Sequence, residues 1–185
     1  MYLVAVLVIA DRYEFAFDNL DIIEKCPDIP GNNGIHDLFN ISELSMELQE
    51  GRLTVNGNTT SVWEGVEPTD RIQGRGELYR YRRGAWQVTP ITLAVNDFCM
   101  VQYNPTSVWY QVWTSNIPLN DRKCINVYGH VYHYRPITVD TIFEYSVNME
   151  GRHKLVVHFM AFDQLNRQRS KIICVQIPGE IIKVK

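Results

Sequence analysis

The sequence predicts an all-β fold, an immunoglobulin-like β-sandwich or open β-cup of about eight antiparallel strands with one short helix. Three observations carry that expectation. Apolar and polar residues alternate with period two along most of the chain, turn signals recur between the alternating runs, and a single segment has helical spacing. The length of 185 residues suits one domain with a sizeable core, and a hydrophobic content of 45% argues against disorder.

The elements are read in order. Residues 1–10 (MYLVAVLVIA) form an apolar run that stops abruptly at Asp11-Arg12. The run is too short for a bilayer, which takes roughly 20 residues. It reads as a signal-peptide remnant without a basic start, with Val8 and Ala10 as the small residues before a cleavage point. Residues 11–185 are then one domain. Tyr13, Phe15 and Phe17 alternate with polar neighbours as in a half-buried strand. Leu44, Met46 and Leu48 do the same, Glu50-Gly51 marks a turn, and the Thr/Val-rich stretch 53–63 pairs back as a hairpin. Residues 77–82 form a strand closed by Arg83-Gly84. The run 85–98 follows, with Ile91, Leu93 and Val95 on one side and Pro90 marking an edge or a bulge.

The segment 105–113 (PTSVWYQVW) breaks the pattern. Val108, Trp109, Val112 and Trp113 lie at helical spacings, Pro105 suits a first turn, and Asn116-Ile117-Pro118 stops the helix. Ile137, Val139, Phe143, Tyr145 and Val147 then share a strand face. Glu150-Gly151 turns the chain into a hairpin partner carrying Leu155, Val157, Phe159 and Ala161. Residues 171–184 form a last strand interrupted at Pro178-Gly179. No later segment reaches transmembrane length, so a soluble chain without a membrane span is expected.

Composition and spacing argue against several function classes. A net charge of −3 gives no basic face for nucleic acid, and the Arg80, Arg82, Arg83 cluster reads as a solvated strand face rather than a docking patch. No nucleophile elbow, zincin or phosphate-loop motif occurs, so no enzyme activity, catalytic residue or cofactor is assigned. His130 and His133, and likewise His153 and His158, have odd spacings that send them to opposite strand faces. His36 stands alone in a Gly/Asn-rich loop, so no metal site is assigned. Cys26, Cys99, Cys124 and Cys174 are widely spaced, with no C-x-x-C, and read as two disulfides of a secreted, extracellular protein. Asn40 and Asn58 head glycosylation sequons, whereas Asn104 is excluded by Pro105.

The remaining candidates are apolar. Trp109 and Trp113 lie near Phe98 and Met100, Phe143 and Tyr145 face inward from one strand, and Leu155, Val157 and Phe159 face inward from its partner. Met46 and Leu48 add flexible chains. Alternation alone does not tell a filled core from a hollow one, because both need apolar inward faces.

Several of these residues resemble the insect chemosensory protein A family. They include Asp97-Phe98-Cys99, Trp109-Tyr110 with Trp113, and Cys124 followed by Gly129. Glu150-Gly151-Arg152 with Lys154-Leu155, the late Cys174, Lys25-Cys26-Pro27, and Val62-Trp63 with Pro68-Thr69-Asp70 extend the likeness over nearly all of the chain after Ala10. Together with the chemosensory protein B group, that family is similar to the ganglioside-activator and related lipid-recognition proteins. The resemblance implies a β-cup splayed around a lipid cavity, secretion, and a part in sensing or carrying lipid-like cues such as pheromones. It also implies nested disulfides, Cys26 with Cys174 and Cys99 with Cys124. These close loops worth about 5 and about 3.5 kcal/mol by chain entropy. On this reading Trp109 and Trp113 line or gate the mouth, and Phe98, Phe143, Tyr145, Leu155 and Val157 form walls, with Met46, Leu48 and Phe159 beside them. The expected partners are an apolar small molecule or lipid and a receptor protein, and the expected state is a monomer. A solid sandwich serving as a protein-interaction module or receptor accessory is the alternative.

Overall fold

The computed structural model describes residues 10–18, 23–29, 31–50 and 52–185. Residues 1–9 of the expected leader, and Gly51 of the expected turn, lie outside these. The chain runs β1 (Asp11–Phe17), β2 (Glu24–Lys25), α1 (Ile35–Leu38), β3 (Phe39–Gln49), β4 (Arg52–Ser61), β5 (Arg71–Arg82) and β6 (Ala85–Val95). It continues through α2 (Phe98–Val101), α3 (Val108–Val112), 3-10 turns at Thr114–Asn116 and Leu119–Asp121, β7 (Val131–Asp140), β8 (Ile142–Tyr145), β9 (Gly151–Phe162) and β10 (Ile173–Lys183).

The fold is all-β, with two sheets facing each other. The larger has the order β6-β5-β9-β10-β1-β8, with the short β2 also on β10; the smaller is β3-β4-β7. All strand pairings are antiparallel. Among the described residues ten strands stand against the eight expected, and eight of the ten have seven or more residues. The expected hairpins β3–β4 and β5–β6 are present. The β5–β6 hairpin turns through Arg83 and Gly84, both at positive φ, as a two-residue hairpin requires. β6 is an edge strand, and its ladder with β5 slips between Glu77 and Tyr79, opposite Pro90. A residue without an N–H is tolerated in such a place.

Four expectations are corrected. First, the described residues contain three α-helices rather than one. α1 and α2 have four residues each, too few to leave a periodic signature. The strand expected over 85–98 ends at Val95. There the Asp97 carboxylate accepts from the Met100 backbone N–H at 3.3 Å and starts α2 at Phe98.

Second, the face expected to run from Ile137 to Val147 is divided between sheets. β7 belongs to the small sheet, the chain crosses over at Thr141, and β8 pairs with β1 of the large sheet. Val147 is exposed beyond β8. Third, β9 does not pair with that run; it lies between β5 and β10. Alternation fixes which residues share a face but not which strand lies alongside.

Fourth, β10 is continuous through Pro178-Gly179. The Pro178 carbonyl still accepts from Asp18 at 3.4 Å. Gly179 lets β1 approach so closely that a Cβ there would lie 2.5 Å from the Ala16 carbonyl oxygen.

Strand parity then assigns the faces of the large sheet. Register places Leu78 beside Leu155, Gly76 beside Val157 and Gly74 beside Phe159, and across β10 it places Ile177, Val175 and Ile173 beside the same three residues. These form the inner face. Cys174, Gln176, Val156 and Lys154 alternate with them and face outward. The Cys26–Cys174 bond, with Cα atoms 5.6 Å apart, therefore straps the segment around β2 to the outer side of the sheet. On the same side the buried Lys154 ammonium donates to Asp28 at 2.9 Å and to the Gln176 amide at 3.1 Å, and it lies 4.9 Å from the Trp86 ring centroid. The Cys99–Cys124 bond (Cα–Cα 5.2 Å) joins α2 to the loop that leads into β7. It anchors α2 rather than the neighbouring tryptophan-bearing helix.

Candidate ligand-binding cavity

One end of the sandwich is closed. Trp63, Ile72, Ile125 and Ala161 are almost wholly buried there, and buried polar groups knit the loops across it. The Ser61 hydroxyl donates to the Ile125 carbonyl at 2.7 Å. The Asn126 amide reaches the carbonyls of Glu67, Pro68 and Asp70, and the Trp63 indole donates to the Lys171 carbonyl at 3.3 Å. The buried Asp70 carboxylate takes both arms of Arg169 at 2.9 Å and the Glu67 N–H at 2.8 Å.

Toward the other end the sheets part and leave a partly open cavity of about 260 Å³. Its wall on the large sheet is Val157, Phe159, Ile173, Val175 and Ile177. Its wall on the small sheet is Ile41, Leu44 and Met46 from β3, Leu53, Val55 and Thr59 from β4, and Tyr134, Ile137 and Val139 from β7. α3 contributes Trp109, Val112 and Trp113, and Ile23, Ile35, Leu38 and Phe39 complete the lining. Among the described residues, no charged side chain lies on these walls. Two ladder slips, between Asn40 and Glu43 and between Val55 and Gly57, interrupt the small sheet along this wall. Gly57 permits this, since its φ is +111° and a Cβ would lie 2.0 Å from the Glu43 carbonyl oxygen.

α3 is set over the cavity by its caps and its rings. The Ser107 hydroxyl accepts from the Trp109 N–H at 3.2 Å. Trp109 packs edge-on to Phe98 at 5.3 Å and lies 5.8 Å from Phe159, and Trp113 lies 5.8 Å from Phe98 and 6.0 Å from Phe39. Polar atoms on the wall are few. The Trp113 indole donates to the Tyr134 hydroxyl at 3.1 Å, which shares a hydrogen bond with the Thr59 hydroxyl at 3.2 Å. Burial pushes the Tyr134 phenol above its ordinary range, so it is neutral. The Trp109 indole nitrogen is buried with no hydrogen-bond partner.

Of the residues expected to bind ligand, the fold brings Met46, Trp109, Trp113, Val157 and Phe159 to the cavity. Phe98 lies one layer behind, wholly buried against both tryptophans and Phe159. Leu48 and Leu155 share the inner faces but do not line the cavity. Phe143 is displaced by the crossover at Thr141 and packs with Tyr13, Met149 and Ile181 in a separate cluster. Tyr145 is exposed on the rim of a second pocket near Arg80, Arg82 and His153. The wall residues of β4, β7 and β10 were missed as ligand contacts. Their period-two signal was present, yet nothing local marks which inward residues will lack an opposing neighbour.

Asn40 and Asn58 lie on neighbouring strands of the small sheet and alternate with wall residues, so both face away from the cavity. Asn58 donates to Glu43 at 3.0 Å. His133 pairs with Asp121 at 2.9 Å on the surface, and no cluster of three or more metal-ligating side chains occurs among the described residues. No helix among them is long and apolar enough to cross a membrane. Comparison of the sequence with protein-family models and with curated proteins gives no match.

Proposed function

We propose that this chain is a secreted carrier or sensor of a long apolar ligand, bound between its two sheets. The observation that carries the reading is the cavity itself, about 260 Å³ of space with an almost wholly apolar wall. Sealed and empty, a void of that volume would forfeit about 6 kcal/mol at roughly 24 cal/mol per Å³. That is comparable with the whole stability of a typical domain. Apolar walls also hold water poorly. An apolar occupant restores the lost contacts, at roughly 25 cal/mol per Å² buried. Two disulfides suit an oxidising compartment, and the outward-facing Asn40 and Asn58 suit glycosylation there. The resemblance to the insect chemosensory proteins supplies the setting, perception of a lipid-like cue, and the reading assigns no chemical step to the protein.

A titration tests the proposal. Long-chain lipids should displace an apolar fluorescent probe from the wild-type protein. Val55→Trp, which fills the cavity from the small sheet, should weaken that binding at least tenfold while the far-ultraviolet circular dichroism is kept. No displaceable binding, and no lipid extracted from protein made in a secretory host, would remove the carrier reading. A second reading, a receptor-contact module, has one observation in its favour. Exposed Val88 and Val147 lie with Tyr145 beside Arg80 and Arg82 on the rim of the second pocket, an apolar patch with a polar border.

A further inference from the structure

Residues 80–84 read Arg-Tyr-Arg-Arg-Gly and form the tip of the β5–β6 hairpin. The ladder of β5 with β9 ends at Arg80 and His153, so from Tyr81 onward β5 is paired with β6 alone. Tyr81 through Ala85 are all exposed. Turn chemistry does not account for Arg83. It stands at φ +51° ahead of Gly84 at φ +81°, in a two-residue turn that favours Asn, Asp or Gly at its first position. Ion pairing does not account for it either: among the described residues, Arg82 and Arg83 form no hydrogen bond or salt bridge. Arg80 is held, since its guanidinium donates to the carbonyls of Asn148, at 3.0 Å, and of Glu150. Both contacts are exposed, so releasing Arg80 breaks no packed core.

We propose that this tip is a processing site, cut between Arg83 and Gly84 by a secretory-route endoprotease that reads paired arginines. Arg83, Arg82 and Arg80 stand one, two and four residues ahead of that bond, and a carboxylate-lined cleft can take each guanidinium bidentately. Exposed loop tips are where folded chains are nicked. A protease binds its substrate as an extended strand; Tyr81 and Arg82 are already extended, with one backbone edge free of β9. β6 is an edge strand, so it can peel back without breaking a second ladder. The cut consumes one water. Its oxygen joins the Arg83 carbonyl carbon and its two protons end on the Gly84 nitrogen, leaving a carboxylate and an ammonium. The two parts stay joined, because Cys26 lies before the cut and Cys174 after it, whereas Cys99 and Cys124 both follow it. The product is a two-chain protein with a single covalent link. Arg80, Arg82, Gln87 and Val88 line the second pocket and none of them lines the apolar cavity, so the cut falls on the former. The inference takes its compartment from the secreted half of the proposed function and is independent of the cavity.

The test incubates the intact disulfide-bonded protein with a purified endoprotease of the paired-arginine class. The product should run as one band without reductant and as two with it, and the new amino terminus should be Gly84. Arg83→Asn suits the turn, so it should keep the circular dichroism and urea midpoint of the wild type. It should be cut about a hundredfold more slowly, because a site built for a charged partner rejects a residue that lacks the charge. A wild-type protein left intact, cutting only at other bonds, or equal cutting of Arg83→Asn would each overturn the inference. In a secretory host, protein collected from the medium should already be cut, and an inhibitor of that protease class should restore the single chain. Uncut protein in the medium without inhibitor would overturn the inference and leave secretion standing. Protein that never reaches the medium would overturn secretion and the inference with it.

Discussion

The two ends of this sandwich are built from the same kind of strand yet differ in what fills them. At the closed end, Trp63, Ile72 and Ile125 are buried in the core, and the Ser61, Asn126 and Asp70 side chains bond to loop backbones or to Arg169 across the gap. At the open end, Leu44, Met46 and Ile177 border about 260 Å³, and the polar ties described on the walls are those of Trp113 and Thr59 with Tyr134. Two sheets with apolar inner faces thus close where polar side chains tie loops across the gap. The ladder slips at Asn40–Glu43 and Val55–Gly57 lie in the strands that wall the open end.

The disulfides draw the same contrast, and cutting them should have the largest effect. Cys26–Cys174 closes a separation of 148 residues and straps the outer face, and Cys99–Cys124 closes 25 residues at α2. Replacing the first pair by serine should lower stability by about 5 kcal/mol and the second by about 3.5 kcal/mol, read from urea midpoints. Only the second should also perturb probe binding, because α2 carries Phe98, the ring behind Trp109 and Trp113. An equal loss of binding in both variants would break the division between strap and cavity support.

Truncation at the closed end comes next. Trp63→Ala should destabilise by about 4 kcal/mol. Asp70→Ala, which strands Arg169 and frees the Glu67 N–H, should destabilise by about 3 kcal/mol. Both are measured by thermal or urea unfolding, and ligand affinity should change little in either variant.

The pH response is smaller. Burial lowers the pKa of His153 and of His158 below the ordinary imidazole value of 6.5. The unfolded chain therefore takes up protons first. The stabilising contribution is complete above about pH 6.5 and is lost as pH falls from there through the lowered folded-state values, at up to about 1.4 kcal/mol per pH unit for each imidazole. Unfolding midpoints taken from pH 7.5 to 5 should decline accordingly, and His153→Gln should flatten the decline.

The smallest effect on stability belongs to the open end. Met46→Ala should change it by less than about 1 kcal/mol, since its side chain meets space rather than a packed partner. The same substitution should reduce lipid affinity measured by probe displacement. Leu48→Ala, beyond the cavity on the same strand face, should leave affinity unchanged.

Much of this architecture is legible in the residues. The strand content, the β3–β4 and β5–β6 hairpins, the helix at 108–112 and the edge position of Pro90 all follow from period, turn chemistry and the missing proline N–H. Five of the ten residues expected to bind ligand line the cavity. The errors have a common cause. Phe143 and Tyr145 continue the alternation of Ile137 and Val139, so nothing local announces that the chain changes sheet at Thr141. α1 and α2 are one turn long, and caps rather than periodicity define them.

By itself, then, the amino-acid order determined which side chains turn inward, because a strand's pleat repeats every two residues wherever the strand is placed. Only the tertiary structure decided which inward faces meet and which part company to leave a cavity between them. Those outcomes depend on bulges, crossovers and loop anchors acting between residues far apart in the chain, and no local pattern encodes a missing neighbour.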